Sequence, residues 1–163
     1  MTVEIRAFAD ADWPEVYAIY QTVVNAGETY TYDPAWSEEH AREMWVEPAP
    51  GRTVVAVERG RIVGTAHVGP NKPGRGSHVA TASFMVDVEA RGLGVGRALG
   101  EHILETARRD GYDSMQFNAV VSSNTGAVRL WKQLGFEIIG TVPEAFDSPS
   151  RGKVGLHIMY QRL

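Results

Sequence analysis

The feature that most constrains this chain is an apolar strand that runs through three alternate glycines directly into a helix. The apolar segment ends at Val88, glycines follow at positions 92, 94 and 96, and a helical pattern continues to Arg109. Glycines in such a turn let a ligand approach the main chain, and the first amides of a helix lack intrahelical acceptors. These amides and the positive end of the helix dipole favour an anion such as a phosphate or pyrophosphate. A tight turn that needs glycine for its own geometry is the alternative interpretation.

The spacing of the glycines excludes two common phosphate-binding loops. A dinucleotide fingerprint G-x-G-x-x-G requires a glycine at Arg97 when counted from Gly92, or at Leu99 when counted from Gly94. The sequence also lacks the loop G-x-x-x-x-G-K-[ST] of nucleoside triphosphatases. The turn therefore predicts an anion site of a different kind, to which Arg91 and Arg97 add positive charge.

The periodicity of apolar residues predicts the element order β-α-α-β-β-β-α-β-α-β-β. The three successive strands before the glycine turn favour an antiparallel meander. Asp10 and Asp12 offer N-cap oxygens to the first helix, and Ser37 offers one to the second. The last two strands are predicted over 136–141 and 154–160, on either side of a polar loop.

Composition indicates a globular protein and excludes several classes of function. The 163 residues are 44% hydrophobic and 22% charged, which suits one domain over residues 1–163. The net charge of −4, without a block of Lys or Arg, argues against nucleic acid as the main partner. Because there is no cysteine, disulfides, thiolate catalysis and Cys-ligated zinc are excluded, and the five scattered histidines predict no metal site. Neither a signal peptide nor a membrane span is predicted, so we expect a cytoplasmic protein.

Two motifs make the sequence resemble the GCN5-related N-acetyltransferase (GNAT) superfamily, and within it the phosphinothricin-acetyltransferase-like branch. The signature Gln/Arg-x-x-Gly-x-Gly/Ala, between the fourth strand and the third helix, is matched by residues 91–96. The second landmark, an asparagine that opens the next helix and a Leu-Gly-Phe that ends it, is matched by Asn124 and residues 134–136. The resemblance implies a single-domain α/β (α+β) fold. Its sheet would be mixed, mostly antiparallel and seven-stranded, with splayed strands 4 and 5 and about four flanking helices.

The resemblance also implies that acetyl-CoA is the co-substrate, and it indicates where this co-substrate binds. The pyrophosphate would lie on main-chain amides of the glycine turn and of the following helix, and the pantetheine arm would pair with Val86 and Val88. Asn124 is expected to cap its helix and to bind the pantetheine arm as well. The implied cofactor-binding residues are Val86, Val88, Arg91, Gly92, Gly94, Val95, Gly96, Arg97, Ala98, Leu99 and Asn124.

In this family the acetyl group moves to an amine, and two kinds of catalytic group are implied. A main-chain N–H freed where strands 4 and 5 separate, at Phe84 or Met85, would face the thioester carbonyl, where negative charge develops. The acceptor amine must also lose a proton before its lone pair can attack. Many relatives use a glutamate on the fourth strand for this step, but residues 81–85 carry no carboxylate.

The choice of general base therefore stays open. Glu28, in the loop after the first helix, is the nearest substitute that agrees with the family, and Asp87 and His157 are alternatives. Water held by Asn118 or Ser83 is a further alternative.

Three residues are candidates for binding the acceptor: Tyr30, Ser83 and Asn118. For Asn118, which lies in an apolar strand, a hydrogen bond in the core is the alternative interpretation. Trp131 occupies the position where relatives often carry a tyrosine that protonates the leaving thiolate. An indole cannot supply that proton, so Trp131 is expected to form a wall, and the thiolate can leave without a dedicated acid.

The function predicted from these patterns is N-acetylation of a small molecule by an acyltransferase. The expected acceptor is an amino acid or analogue of the phosphinothricin, methionine-derivative or proline-analogue type. The alternatives are acetylation of a protein or peptide, and a non-catalytic acyl-CoA-binding sensor, which the missing carboxylate on strand 4 keeps open. A homodimer is possible, because homodimers are common among similar proteins.

Overall fold

The computed structural model describes residues 2–163, in which seven strands form one mixed sheet flanked by four α-helices. The element order is the predicted one. The strands are β1 (Glu4–Ala7), β2 (Arg52–Glu58), β3 (Arg61–Pro70), β4 (Val79–Val86), β5 (Ser114–Val121), β6 (Glu137–Ser148) and β7 (Gly152–Arg162). The helices are α1 (Trp13–Ala26), α2 (Glu38–Trp45), α3 (Val95–Arg109) and α4 (Thr125–Gln133). None of the helices within residues 2–163 combines the length and the apolar character needed to cross a membrane.

The sheet opens between its two central strands. The spatial order is β1-β2-β3-β4-β5-β7-β6, and all neighbours are antiparallel except β4 and β5. These two strands are parallel and pair only at Val79↔Ser114 and Ala80↔Met115. Because the pairing stops there, the C-terminal half of β4 borders a gap, which confirms the expected splayed strands.

Two apolar cores cover the two faces of the sheet. On one face α3 and α4 pack against the sheet, with Leu99, Ile103 and Met115 fully buried. On the other face α1 and α2 contribute Val16 and Trp45, which are also fully buried. Because side chains alternate along a strand, the even-numbered residues of β4 face α3 and α4, and the odd-numbered ones face α1 and α2.

The predicted caps of α1 are wrong, whereas that of α2 is confirmed. Asp12 accepts hydrogen bonds from the Arg6 guanidinium at 2.7 and 2.8 Å and from the Ala9 N–H at 2.8 Å. Asp10 binds another helix through its side chain. Both aspartates lie in a 3₁₀ turn that precedes α1, so their oxygens turn away from the free amides of that helix. Ser37 caps α2 as expected.

The final hairpin is longer than its sequence pattern predicts. β6 and β7 extend through most of the expected polar loop and leave a turn of only three residues, 149–151. The register between β6 and β7 shifts between Ile138 and Gly140 and again between Val142 and Phe146. The β6 residues within these two intervals have no regular partner on β7. Bulges and proline are tolerated there because β6 is the outer strand of the sheet.

The ion pair between Arg6 and Asp12 makes the stability depend on pH. Its hydrogen bond lowers the pKa of Asp12, so its contribution is present above the ordinary carboxyl pKa and is lost as the pH falls through the lowered value. Asp12→Asn is expected to decrease the free energy of unfolding by about 1 kcal/mol at neutral pH, a figure that allows for the solvent screening of Arg6. Urea denaturation of both proteins should show this difference shrinking as the pH falls below the ordinary carboxyl pKa of about 3.9 and through the lowered pKa of Asp12. If the difference in the free energy of unfolding is the same at neutral and at acidic pH, the ionisation of Asp12 is not its source.

Candidate functional site

The glycine turn presents unpaired amides at the start of α3. Gly94 is the N-cap of this helix, in the left-handed region with a φ of 85°. The first intrahelical hydrogen bond runs from the Ala98 N–H to the Gly94 carbonyl at 3.0 Å. Within residues 2–163, no acceptor pairs with the amides of Gly94, Val95, Gly96 or Arg97. Four consecutive N–H groups are therefore free at the positive end of a 15-residue helix, which is the geometry of an anion site.

Two residues of the implied cofactor site do not contribute amides to it. The Ala98 N–H donates to the Gly94 carbonyl, and the Leu99 N–H, one residue further into α3, is paired within the helix in the same way. Both assignments were wrong because α3 begins at Val95, so only the amides before position 98 lack an intrahelical partner.

The two arginines of the motif differ in their surroundings. Arg97 hydrogen-bonds Gln133 of α4 and lies 3.6 Å from the Glu101 carboxylate on its own helix. Arg91 is exposed beside Gly92. The charge of Arg97 is therefore partly compensated within the protein.

Asn124 caps α4 as predicted. Its Oδ1 accepts a hydrogen bond from the Ala127 N–H at 3.4 Å. Its proposed contact with the pantetheine arm remains a prediction.

The main-chain N–H and C=O groups of successive β4 residues point alternately towards β3 and towards the gap. Asp87 donates its N–H to β3 at 2.9 Å, and the antiparallel register then directs the Met85 N–H towards β3 as well. Phe84 and Val86 have the opposite orientation and face the gap. Met85 is therefore wrong as a donor to the thioester carbonyl, because its amide points away from the space where that carbonyl would lie. Val88 follows β4 and is exposed.

Tyr30 occupies the part of the gap next to Phe84. Its hydroxyl donates to the Phe84 carbonyl at 2.6 Å and accepts from the Phe84 N–H at 2.9 Å. Burial raises the pKa of Tyr30 above its ordinary value, so the phenol stays protonated at neutral pH. The Phe84 amide faces the gap as expected, but it is not free: a ligand can bind it only after the Tyr30 hydroxyl has moved.

Polar side chains line the α1 and α2 side of the gap. Asn118 donates to Oδ1 of Asn71 at 2.7 Å and accepts from Gln116 at 3.0 Å. It is exposed, so a hydrogen bond in the core does not describe it. Ser83 is half-buried near the phenol of Tyr32, whose pKa burial raises to about 12.

Neither Asn71 nor Gln116 is among the site residues predicted from the sequence. A signal for Gln116 was present, since polar residues at positions 116 and 118 alternate with the apolar residues of β5 and so mark one polar face of the strand. Asn71 lies 47 residues from Asn118 along the chain, and no local pattern joins the two.

Glu28 ties the loop after α1 to the β6–β7 hairpin. Its carboxylate accepts a hydrogen bond from the Ser148 hydroxyl at 2.6 Å and another from the Ser150 N–H at 3.2 Å. The bond from Ser148 is the largest influence that lowers the pKa of Glu28. A carboxylate stabilised in this way is a weaker proton acceptor. The assignment of Glu28 as general base stays a prediction.

The two alternative bases also have local partners. Asp87 accepts a hydrogen bond from the Glu89 N–H at 3.0 Å in the turn that follows β4. His157 lies on the final hairpin, where its Nδ1 is 2.7 Å from the Thr141 hydroxyl.

Trp131 belongs to an aromatic cluster beneath the gap. Its ring centroid lies 4.6 Å from that of Phe84 and 5.0 Å from that of Phe117. The side chain is 7% exposed. This packing agrees with the expected role of Trp131 as a wall.

Comparison with known protein families shows which family this chain belongs to. The sequence model of the acetyltransferase (GNAT) family matches residues 11–136, which include the glycine turn and all of α4. The chain belongs to this family. The resemblance inferred from the two motifs is thereby confirmed, and GNAT proteins are N-acetyltransferases that use acetyl-CoA as co-substrate.

Individual members of the GNAT family are similar over most of the chain. The L-methionine sulfoximine/L-methionine sulfone acetyltransferase of Pseudomonas aeruginosa is 31% identical over 153 residues, 88% of this chain and 86% of that protein. N-acetyltransferase aca1 of Schizosaccharomyces pombe is 28% identical over 137 residues, 75% of this chain but only 66% of aca1. The structure of a GCN5-related N-acetyltransferase from Kribbella flavida is 51% identical, with a TM-score of 0.96 over 99% of this chain and 98% of that one.

Proposed function

We propose that this GNAT protein transfers the acetyl group of acetyl-CoA to the amine of a small molecule, specifically an amino acid or a close analogue. The observation that carries the proposal is the alignment of two sets of main-chain groups along one gap. The amides of residues 94–97 lie free at one end, and the outward-facing groups of Phe84 and Val86 follow the edge of β4. A polar cluster around Ser83 and Asn118 borders the same gap.

These groups fit a coenzyme that carries a diphosphate and an amide-containing arm. The free amides of residues 94–97 would hold the diphosphate, with Gly92 allowing close approach and Arg91 exposed beside it. The main chain at Val86 would pair with the arm as an added strand does. Val88, in the turn after β4, would contact the arm beyond this edge, and Asn124 would bind it from α4. Acetyl-CoA supplies the activated acetyl group.

A small acceptor agrees with the surroundings of the polar cluster. Glu28 joins the loop after α1 to the β6–β7 hairpin, so the two segments flanking this side of the gap are in contact. An extended peptide would need an open groove there. The relative named for acetylation of L-methionine sulfoximine and L-methionine sulfone supports an amino acid analogue as acceptor.

The chemistry requires a free amine and a stabilised carbonyl oxygen. The amine gives up a proton, its lone pair attacks the thioester carbon, a C–N bond forms and the C–S bond breaks. The Phe84 N–H would face the carbonyl oxygen once the Tyr30 hydroxyl has moved, and one such donor contributes about 3–4 kcal/mol in serine hydrolases. The thiolate leaves without a dedicated acid, because Trp131 offers only an apolar wall.

An acceptor screen tests the proposed function. The protein is incubated with acetyl-CoA and L-methionine sulfone, L-methionine sulfoximine, phosphinothricin, a proline analogue or short peptides. We expect release of free thiol and an acetylated amino acid, detected by mass spectrometry. Transfer to peptides alone would favour protein acetylation, and tight binding of acetyl-CoA without thiol release would favour a sensor.

Removing the Tyr30 hydroxyl tests where the thioester carbonyl binds. If this carbonyl binds the Phe84 N–H, acetyl-CoA must first displace the hydrogen bond from that N–H to the Tyr30 hydroxyl. Tyr30→Phe removes this bond, so we expect acetyl-CoA to bind about fivefold more tightly, equivalent to ~1 kcal/mol. Calorimetry measures this affinity. Free CoA, which lacks the carbonyl, is the control and should bind both proteins equally. An unchanged ratio of the two affinities would place the carbonyl elsewhere.

The number of subunits and the cellular location stay predictions. β6 is the outer strand of the sheet and exposes Ile139 and Val142, which are 58% and 49% accessible. Exposed apolar side chains on an edge strand favour association of two copies. Analytical ultracentrifugation would measure whether the protein is a homodimer.

A further inference from the structure

A buried histidine lies outside the residues assigned so far. His67, in the middle of β3, is 6% exposed, and its Nε2 has no hydrogen-bond partner within residues 2–163. Its Nδ1 lies 3.0 Å from Oε1 of Glu47, but the two are not aligned as in a hydrogen bond. The large majority of buried polar atoms are hydrogen-bonded, so an unpartnered imidazole nitrogen needs an explanation, and a catalytic role is one of the known ones.

Glu47 is held in place over β3. Its N–H donates to the Thr53 hydroxyl at 2.9 Å, and its Oε2 lies above Gly69, where an added Cβ would be 3.1 Å away. A carboxylate fixed beside an imidazole stabilises the imidazolium that forms when the ring takes up a proton. The Trp45 and His67 rings pack at right angles to each other, with the centroids 4.6 Å apart, which restricts the position of the imidazole.

The register of the sheet connects this pair with the polar cluster at the gap. His67 and Ser83 are directly opposite each other on β3 and β4, so both side chains lie on the α1 and α2 face. Opposite residues have Cβ atoms about 4.5–5.5 Å apart. The Ser83 hydroxyl does not bond Nε2 in this structure, and a rotation of the Ser83 side chain would bring the two together. Ser83 is also near the phenol of Tyr30, which bonds the main chain of Phe84. His67, Ser83 and Tyr30 therefore follow one another from the buried imidazole to the gap on the α1 and α2 side of the sheet.

We propose that His67, supported by Glu47, takes up the proton of the acceptor amine through the Ser83 hydroxyl. The inference rests on the proposed function, since it names the group that replaces the missing carboxylate of β4. The ammonium group of the acceptor gives a proton to Ser83 while Ser83 passes its own to Nε2, so the hydroxyl is unchanged. The neutral amine then attacks the thioester carbon. Its second proton goes to the leaving thiolate, and the imidazolium returns its proton to solvent.

The charged group next to His67 is Glu47, and the other titratable groups around these two residues are neutral or paired with each other. The phenols of Tyr20, Tyr32 and Tyr112 lie around Glu47 and Trp45, and burial raises the pKa of each, so they stay neutral at neutral pH. Beyond Tyr112, Arg52 and Asp110 form an ion pair at 2.7 Å and largely compensate each other.

Kinetics as a function of pH test the inference. L-methionine sulfone is the acceptor, or whichever amine of the panel the wild-type protein acetylates. His67→Gln is expected to lower kcat/KM for the amine about 100-fold at neutral pH, within the range of general base catalysis. The loss should shrink as the pH rises to the pKa of the acceptor's α-amino group, which is lower than that of a lysine side chain, because more of the amine is then already neutral. Glu47→Gln, which keeps the size of the side chain, should give a smaller loss with the same pH dependence.

Two controls separate proton uptake from packing. His102→Gln replaces a histidine of α3, on the opposite face of the sheet, and should leave the profile unchanged. The affinity for acetyl-CoA, measured by calorimetry, shows that His67→Gln and Glu47→Gln are folded, and it should stay within about twofold of wild type, less than 0.5 kcal/mol.

Four results would overturn the inference. A loss in His67→Gln that is equal at every pH would show a structural role. An unaltered rate in both variants would remove His67 and Glu47 from the reaction. The Glu28→Gln variant is measured in parallel. If the pH-dependent loss occurs in this variant and not in His67→Gln, Glu28 is the group that accepts the proton. In each of these cases an active wild type leaves the proposed function intact, whereas a wild type inert towards every amine overturns both.

Discussion

Gly94→Val is expected to weaken the binding of acetyl-CoA about 100-fold, which corresponds to ~2.7 kcal/mol. A valine at position 94 must adopt a φ of 85°, a region that β-branched residues avoid, although no atom within 4 Å would obstruct its Cβ. Relief of this strain rotates the N-cap and misaligns the four free amides of residues 94–97. Isothermal titration calorimetry with acetyl-CoA measures the change in affinity.

The same helix offers a matched control at its other end. Gly111 has a φ of 86° and equally open surroundings, but it follows α3 and lies far from the free amides. Gly111→Val should therefore cost a similar amount of stability, about 1–3 kcal/mol, while leaving the affinity for acetyl-CoA unchanged. If the two variants lose affinity equally, or neither does, the glycine turn is not the diphosphate site.

Trp131→Ala is expected to decrease the free energy of unfolding by about 3–5 kcal/mol, the range typical of a large aromatic side chain removed from a core. The indole is 7% exposed and packs between Phe84 and Phe117, so the truncation leaves a cavity directly beneath β4 and β5. Urea denaturation followed by circular dichroism measures this loss.

Trp131→Phe separates packing from chemistry. The smaller ring keeps most of the aromatic contacts, so we expect a loss of stability below about 2 kcal/mol and a kcat close to that of the wild type. A large drop in kcat with unchanged affinity for acetyl-CoA would show that Trp131 takes part in the reaction. That result would contradict its description as a wall.

Periodicity in the sequence predicted the element order because each helix and strand is encoded by its own apolar spacing. The cap at Asn124 and the helix start after the glycine turn are likewise local, since the residues that make them lie within one turn of each other. Local patterns do not reveal partners that are distant along the chain. Asp12 has the right residue type and position for a cap, yet its carboxylate binds Arg6 of β1 instead.

The glycine motif was also interpreted too broadly at one end. Residues 94–99 read as one run of available amides, but the Ala98 N–H bonds the Gly94 carbonyl and the Leu99 N–H has its own partner within α3. Likewise, the direction of the Met85 and Phe84 amides depends on the pairing of β4 with β3, which the residue types do not reveal.

The sequence by itself determined that a strand, a glycine turn and a helix follow one another with free amides at the junction, because these features need only neighbouring residues. Only the tertiary structure decided that Tyr30 covers the Phe84 amide and that Glu47, His67 and Ser83 lie together. Tyr30 and Phe84 are 54 residues apart, and Glu47, His67 and Ser83 come from three separate segments. They meet because burial of two apolar cores sets the register of the sheet, and that register is a property of the whole fold.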